Sequence, residues 1–315
     1  MSQVVSFYTY KLKGLSMFSP KIILALILLP FINYTNASEI ILKDAQNFAE
    51  LFKKQSHLTP HLLQTQYLDI GSKGIEIFTP RRIKSAENML SMINHNKHVY
   101  NQALDICLPQ IESLKSEALQ TLNETQKVLS QTQSASVYIV FGANNSGGTA
   151  SVNGLVLGLE VLCSLAQSKE EFKDVFMNFI AHEITHVYQN RAYVTHKNKP
   201  EPTLLFVSLH EGIADFVSGL VLNNISNAEI LRHTYGLKHE KQLWKRFKSQ
   251  MNGIKLGDWF YQTDTTNQPN DMGYWIGKRI AKAYYERAEN KKEALITLIN
   301  LKDANAIYRA SKYNP

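Results

Sequence analysis

The stretch FIAHEITHVYQN, Phe179 to Asn190, constrains this chain more than any other. It ends a run, KEEFKDVFMNFIAHEITHVYQN, with the periodicity of a helix, acids in its first turn and an apolar arc of Phe172, Val175, Phe176 and Phe179. At about 100° per residue, Glu183 falls near the centre of that arc, His186 near one side and His182 at its edge. Residues four apart stand one above the other on a helix, so the two imidazoles can reach one point. Three polar groups lie where the helix should pack, and burying them without partners costs several kcal/mol. A metal ion held by His182 and His186 satisfies them, with Glu183 placed to take a proton from a bound water. The alternative is a helix whose core histidines bond to backbone groups.

A catalytic zinc site takes three protein ligands and leaves a position for water. SLHEGIADF supplies the third, Glu211, 25 residues after His186 and in the middle of the next helical stretch. Asp215 shares its face and is placed to hold a ligand histidine by the other ring nitrogen. Both acids point away from a stripe of Ile213, Phe216, Val217 and Leu220, a pattern also expected of a merely solvated face. His210 competes as a ligand but sits a quarter-turn or more round the helix from Glu211.

HEITH followed by EGIAD resembles the gluzincin branch of the zinc metallopeptidases, in which a glutamate on the following helix is the third ligand. More narrowly, the chain is similar to a bacterial domain-of-unknown-function family described as predicted zinc-dependent proteases. The supporting segments are YLDIGSKGIEIF, RRIKSAENM, NNSGGTASVNG, both metal motifs and MGYWIGKRIAKAYYE, spanning about residues 60–290. The resemblance implies a zincin-like fold, α+β and mainly helical, with a small β section before the active-site helix. It implies one Zn²⁺ per chain on His182, His186 and Glu211, Glu183 as general base and proton shuttle, and Asp215 behind a ligand. It also implies that Val137–Gly142 or Gly148–Gly154 lies along the cleft and pairs with an extended substrate, with Gly147, Gly148 and Thr149 in contact with it. A plain glycine turn is the other reading of that loop. Tyr274 is the expected oxyanion partner, with His233 and Tyr235 behind it. The spacing from His186 to Glu211 exceeds that of thermolysin-like members, so their substrate pockets do not transfer.

The 315 residues are 44% hydrophobic, enough for one sizeable core. Residues 1–37 carry Lys11, Lys13 and Lys21, no acid, and the apolar run Ile22 to Ile32; this reads as a secretory signal cleaved after Ala37, with Met17 an alternative start. The competing reading is an uncleaved membrane anchor. Export to the bacterial periplasm or beyond is expected. The remaining 31 basic and 27 acidic side chains leave +4, too mild and dispersed for a nucleic-acid partner. Cys107 and Cys163 are the only cysteines; an oxidising compartment would let them pair, but nothing in the sequence places them together, and two buried thiols is the plainer expectation.

The expected organisation is a signal peptide over 1–37, a helical N-terminal region over 38–135, a catalytic core over 136–225 and a helical C-terminal region over 226–315. Asp44 is a candidate N-cap and Pro109 a break or kink. The texture turns to strand and loop chemistry at SVYIVFGANNSGGTASVNGLVLGLEVL, read as two strands, or a strand and a buried segment, around a loop. A helix begins near Pro202, after a loop over 191–201. The function expected is peptide-bond hydrolysis of a peptide or protein substrate. Two others use the same site: a zincin-like scaffold that binds a partner without turnover, and a zinc amidase acting on a cell-wall linkage.

Overall fold

Helices make up most of the chain, with three strands just ahead of the long helix of the HEITH motif and a fourth, short one at Ile40–Ile41, at the start of the region expected to be helical. The computed structural model describes residues 38–55, 57–223, 227–260 and 268–315. The segment over 1–37, read above as a secretory signal, lies outside them. From Thr35 to Pro315 the chain forms one compact unit. The helices are α1 (Lys43–Lys54), α2 (Pro60–Leu63), α3 (Lys73–Phe78), α4 (Ala86–His95), α5 (Lys97–Gln102), α6 (Leu108–Val128), α7 (Leu159–Ser164), α8 (Lys169–Val194), α9 (Leu204–Val221), α10 (Asn227–Gln250), α11 (Met272–Arg287), α12 (Lys291–Asn300) and α13 (Ala304–Ser311). The strands are β1 (Ile40–Ile41), β2 (Ser136–Val140), β3 (Gly148–Ser151) and β4 (Gly154–Gly158). The fold is therefore α+β and mainly helical, with its β section ahead of α8.

The sheet runs β1-β2-β4-β3, parallel except for β3, which is antiparallel to β4 and forms one edge. β2 lies inside the sheet, paired by β1 and β4, so Val137–Gly142 is not a free edge; β3 is. The stretch Leu155 to Leu162, left open between strand and buried segment, is both: β4 passes at Gly158 directly into α7. Past β2 the chain is pinned by tyrosines. Tyr67 Oη donates to the Phe141 carbonyl at 2.7 Å and Tyr100 Oη to the Gly142 carbonyl at 2.9 Å. Phe48 of α1 stacks on Phe141 with ring centroids 4.5 Å apart.

Several local expectations change. Asp44 is inside the first turn of α1, not at its cap; it is buried and accepts from the backbone N–H and the hydroxyl of Ser72. Pro109 sits in the first turn of α6, where a missing N–H costs nothing, and a π-helical turn over Ala103–Cys107 precedes it. α8 starts at its Ser168 cap and runs on to Val194, past the expected loop boundary. α9 is capped by Thr203, leaving Pro202 just outside. α10 kinks at His239.

Cys107 and Cys163 form a disulfide, with Cα atoms 5.9 Å apart, rather than remaining two thiols. It ties the turn before α6 to α7, elements brought together only by the fold.

Two helices carry the ligand candidates, and both are buried more completely than an amphipathic reading allows. From Ile180 to Gln189 every residue of α8 except His182 is buried. α9 has the length and apolar composition of a membrane span, yet packs inside the protein against α6, α8 and α11. Its supposed polar face is not solvated, since Asp215 is buried, while Leu220, assigned to the apolar stripe, is 39% exposed. α9 and α11 cross in backbone contact. A Cβ on Gly277 would stand 1.6 Å from the Ser208 carbonyl oxygen, and one on Gly212 would stand 2.1 Å from the Lys278 nitrogen. Only glycine permits that approach.

Candidate metal centre

α8 and α9 bring His182, His186 and Glu211 to one point. His186 Nε2 is 3.0 Å from His182 Nε2 and 3.1 Å from Glu211 Oε2, and His182 Nε2 is 3.4 Å from that same oxygen. Three donors about 2.1 Å from a common point, at tetrahedral angles, stand about 3.4 Å apart. The triangle is close to that size.

Neighbours settle which ring nitrogens carry hydrogen. His182 Nδ1 lies 2.9 Å from Asp215 Oδ1, a carboxylate that can only accept, so Nδ1 is the donor. His186 Nδ1 lies 2.6 Å from Gln189 Oε1, and the Gln189 amide is oriented by its Nε2, which donates to the His210 carbonyl at 3.0 Å. With Nδ1 donating, each ring offers a lone pair at Nε2 once its second proton is released, and the two Nε2 atoms face one another and a carboxylate oxygen. A cation is what such a set can satisfy, and the His-His-Glu group can coordinate a metal ion.

The charges around the point agree. Burial opposes a charge on Glu211, but the imidazoles of His186, His182 and His210 outweigh it and hold the carboxyl well below the usual range. Burial likewise opposes charging His182, yet hydrogen bonds to Asp215 and Glu211 hold its proton affinity well above an ordinary imidazole's. His210, the competing ligand, stacks on His186 at 4.4 Å and directs Nδ1 to Glu211 Oε1 at 3.3 Å, leaving Oε2 to the centre. Arg232 Nη2 stands 3.5 Å from Asp215 Oδ2.

Glu183 is 9% exposed and its carboxyl has no hydrogen-bond partner among the described residues. Burial raises its proton affinity, against the pull of His186, His182 and Arg82. A Cβ on Gly148 would lie 2.5 Å from Glu183 Oε1, so the glycine lets β3 rest directly on the carboxyl. Gly147 meets Phe179 instead, and Thr149 Oγ1 accepts from Arg82 Nε at 3.0 Å. The three loop residues thus have three different neighbours. Glu183 and His186 are buried as the arc suggests, and His182 and Glu183 also line a cavity of about 630 Å³ together with Phe179, Asp215, Arg232 and Tyr274.

Tyr274 stacks on His182 at 6.1 Å, with the Arg232 guanidinium over its ring at 5.3 Å. The two other oxyanion candidates are engaged elsewhere: His233 Nδ1 accepts from Trp275 Nε1 at 3.3 Å, and the Tyr235 ring packs at a tilt against His239 with centroids 4.3 Å apart. Gln189 and Arg82 are the site residues the sequence reading leaves out. Gln189 had a signal, a position three after His186 on the same helix. Arg82 had none beyond its charge.

Residues 33–301 match the family described as "Putative zinc dependent peptidase (DUF5700)". The chain belongs to this family. No curated protein and no solved structure matches it. Family membership and the ligand cluster together support a zinc-dependent hydrolytic function.

Proposed function

We propose that the protein is an exported zinc metallopeptidase that hydrolyses peptide bonds. The observation that carries this reading is the meeting of two imidazole lone pairs and one carboxylate oxygen, with both remaining imidazole nitrogens committed as donors. Two nitrogens and one oxygen suit zinc with a position left open. When bound, the ion would polarise a carbonyl oxygen and lower the pKa of a water to near neutrality.

The chain's own residues do the rest. His182, His186 and Glu211 hold the ion, and Asp215 and Gln189 fix the tautomers of the two rings. Glu183 takes the proton from the attacking water and passes it to the leaving amine, a role suited to a buried carboxylate with no competing hydrogen bond. Tyr274, beside His182 and in the lining of the same cavity as Glu183, donates to the developing oxyanion. The backbone of β3 offers a track for an extended peptide. Its register turns the N–H and C=O of Gly148 and Ala150 away from β4. Ser146 Oγ and Asn190 Nδ2 donate to those two carbonyls, and the two N–H groups have no partner among the described residues. They would accept a substrate strand by β-augmentation.

Export is supported by the apolar segment after Lys21 and by the Cys107–Cys163 disulfide, a bond that persists in oxidising compartments. Metal analysis of the purified protein should find about one zinc per chain, as three-ligand catalytic sites hold. Glu183→Gln should keep that zinc and lose hydrolysis of a peptide library. A folded protein that takes up no metal would reject the proposal.

A further inference from the structure

Two bonds hold Arg82 against β3 and the loop that enters it. Its backbone carbonyl accepts from Asn145 Nδ2 at 2.9 Å, and its Nε donates to Thr149 Oγ1 at 3.0 Å. Asn145 belongs to the loop entering β3, and Thr149 follows the glycine that rests on Glu183. The two terminal amino groups of the guanidinium have no hydrogen-bond acceptor or ion pair among the described residues. The other half-buried arginines differ: Arg191 donates to three backbone carbonyls, Arg232 faces Asp215, Arg246 reaches Gln268 and Arg279 pairs with Glu240. With Nε engaged, Arg82 keeps its end-on edge, a planar pair of donors matched to a carboxylate.

Strand alternation says what would meet it. Gly148 faces α8, so Thr149 and the Arg82 side chain it anchors lie on the opposite face of the sheet. A peptide added to the free edge of β3 continues the alternation, with one side chain toward α8 and the next toward Arg82. The cavity beside α8 offers a carboxylate little by comparison: among its described lining Arg232 is the one arginine or lysine, and it already faces Asp215. We propose that Arg82 is a specificity-determining residue that binds a substrate carboxylate, the side chain of an aspartate or glutamate in an extended peptide lying along β3. The inference rests on the peptidase reading above.

The test is binding to the zinc-loaded Glu183→Gln protein, measured by calorimetry. The probes are C-terminally amidated peptides with Glu, Gln or Lys placed at each position in turn, plus one series with a free C-terminus. At one position Glu should bind about tenfold tighter than Gln, as a charge-assisted pair does. Adding Arg82→Ala should abolish that preference, and adding Arg82→Glu should transfer it to Lys. A merely structural latch between Arg82 and Thr149 would not reverse the charge preference. The proposal is overturned by a preference that survives both substitutions, by one confined to the free C-terminus, or by no preference at any position. Wild-type protein that cleaves none of these peptides while the binding preference stands would reject the peptidase reading and leave Arg82 as a carboxylate site.

Discussion

Two glutamates largely withdrawn from solvent, Glu211 and Glu160, are treated in opposite ways. Glu211 stands among three imidazoles and is held well below the usual carboxylate range despite its burial. Glu160, at the first turn of α7, is fully enclosed, and burial pushes it up to about 7. Its Oε1 accepts from the backbone N–H groups of Gly142 and Asn144 at 3.0 and 3.1 Å, while Oε2 has no partner among the described residues. The two side chains differ chiefly in what faces them. Neutral backbone donors make Glu160 a peg for the loop that enters β3; basic rings and an inward-facing set of lone pairs make Glu211 part of a cation site. Burial of a charged group is not in itself a sign of chemistry, and its neighbours decide.

The largest expected effect separates the two by metal. With free zinc about a thousandfold above its Kd, binding should stabilise the protein by about 4 kcal/mol, seen as a rise in Tm that a chelator reverses. Glu211→Gln should lose most of that rise and Glu160→Gln should keep it; the reverse pattern would remove Glu211 from the ligand set. Next comes pH. The folded value of Glu160, about 7, lies above its ordinary 4.5, so its stabilising contribution is complete below the lower value and lost as pH rises through the higher one. That gap corresponds to about 3 kcal/mol, to be read from urea unfolding at about pH 5 and about pH 8. Glu160→Gln should flatten this part of the slope, and an unchanged slope would place its source elsewhere.

Smaller effects test the outer supports of the centre. Asp215→Asn should weaken zinc roughly 10- to 100-fold in a competition titration, because it removes the anionic acceptor that orients His182. Gln189→Ala should cost about tenfold or less, since a neutral amide orients His186 less strongly than a carboxylate would. Equal losses for the two would mean that ring orientation, and not charge, is what the supports supply.

The ligand set is legible in the sequence because its signal is local. His182, Glu183 and His186 lie within five residues of one helix, and Glu211 and Asp215 lie one turn apart on the next. The same locality makes the β section recognisable at Val137 to Phe141. Periodicity is weakest where burial is all round: the second half of α8 and most of α9 have little solvent face to alternate with, so the pattern alone left a solvated acidic face open as the alternative to the enclosed Asp215. What lies far apart in the chain is not legible at all. Arg82 meets Thr149 across 67 residues and Cys107 meets Cys163 across 56, through packing that no short pattern reports. The edge position of β3 is of the same kind, because strand order is a property of the sheet and not of any one strand.

The glycine crossing of α9 and α11 has a mechanical consequence. With Gly212 and Gly277 in backbone contact, no side chain lies between the helices at that point to act as a compliant layer. α9 carries Glu211 and Asp215, and α11 carries Tyr274 one turn before the crossing. The candidate third ligand, the acid bonded to His182, and the tyrosine beside it therefore ride on one stiff strut. Movement of the far wall of the cavity would carry all three together relative to α8, so opening and ligand geometry are coupled by construction.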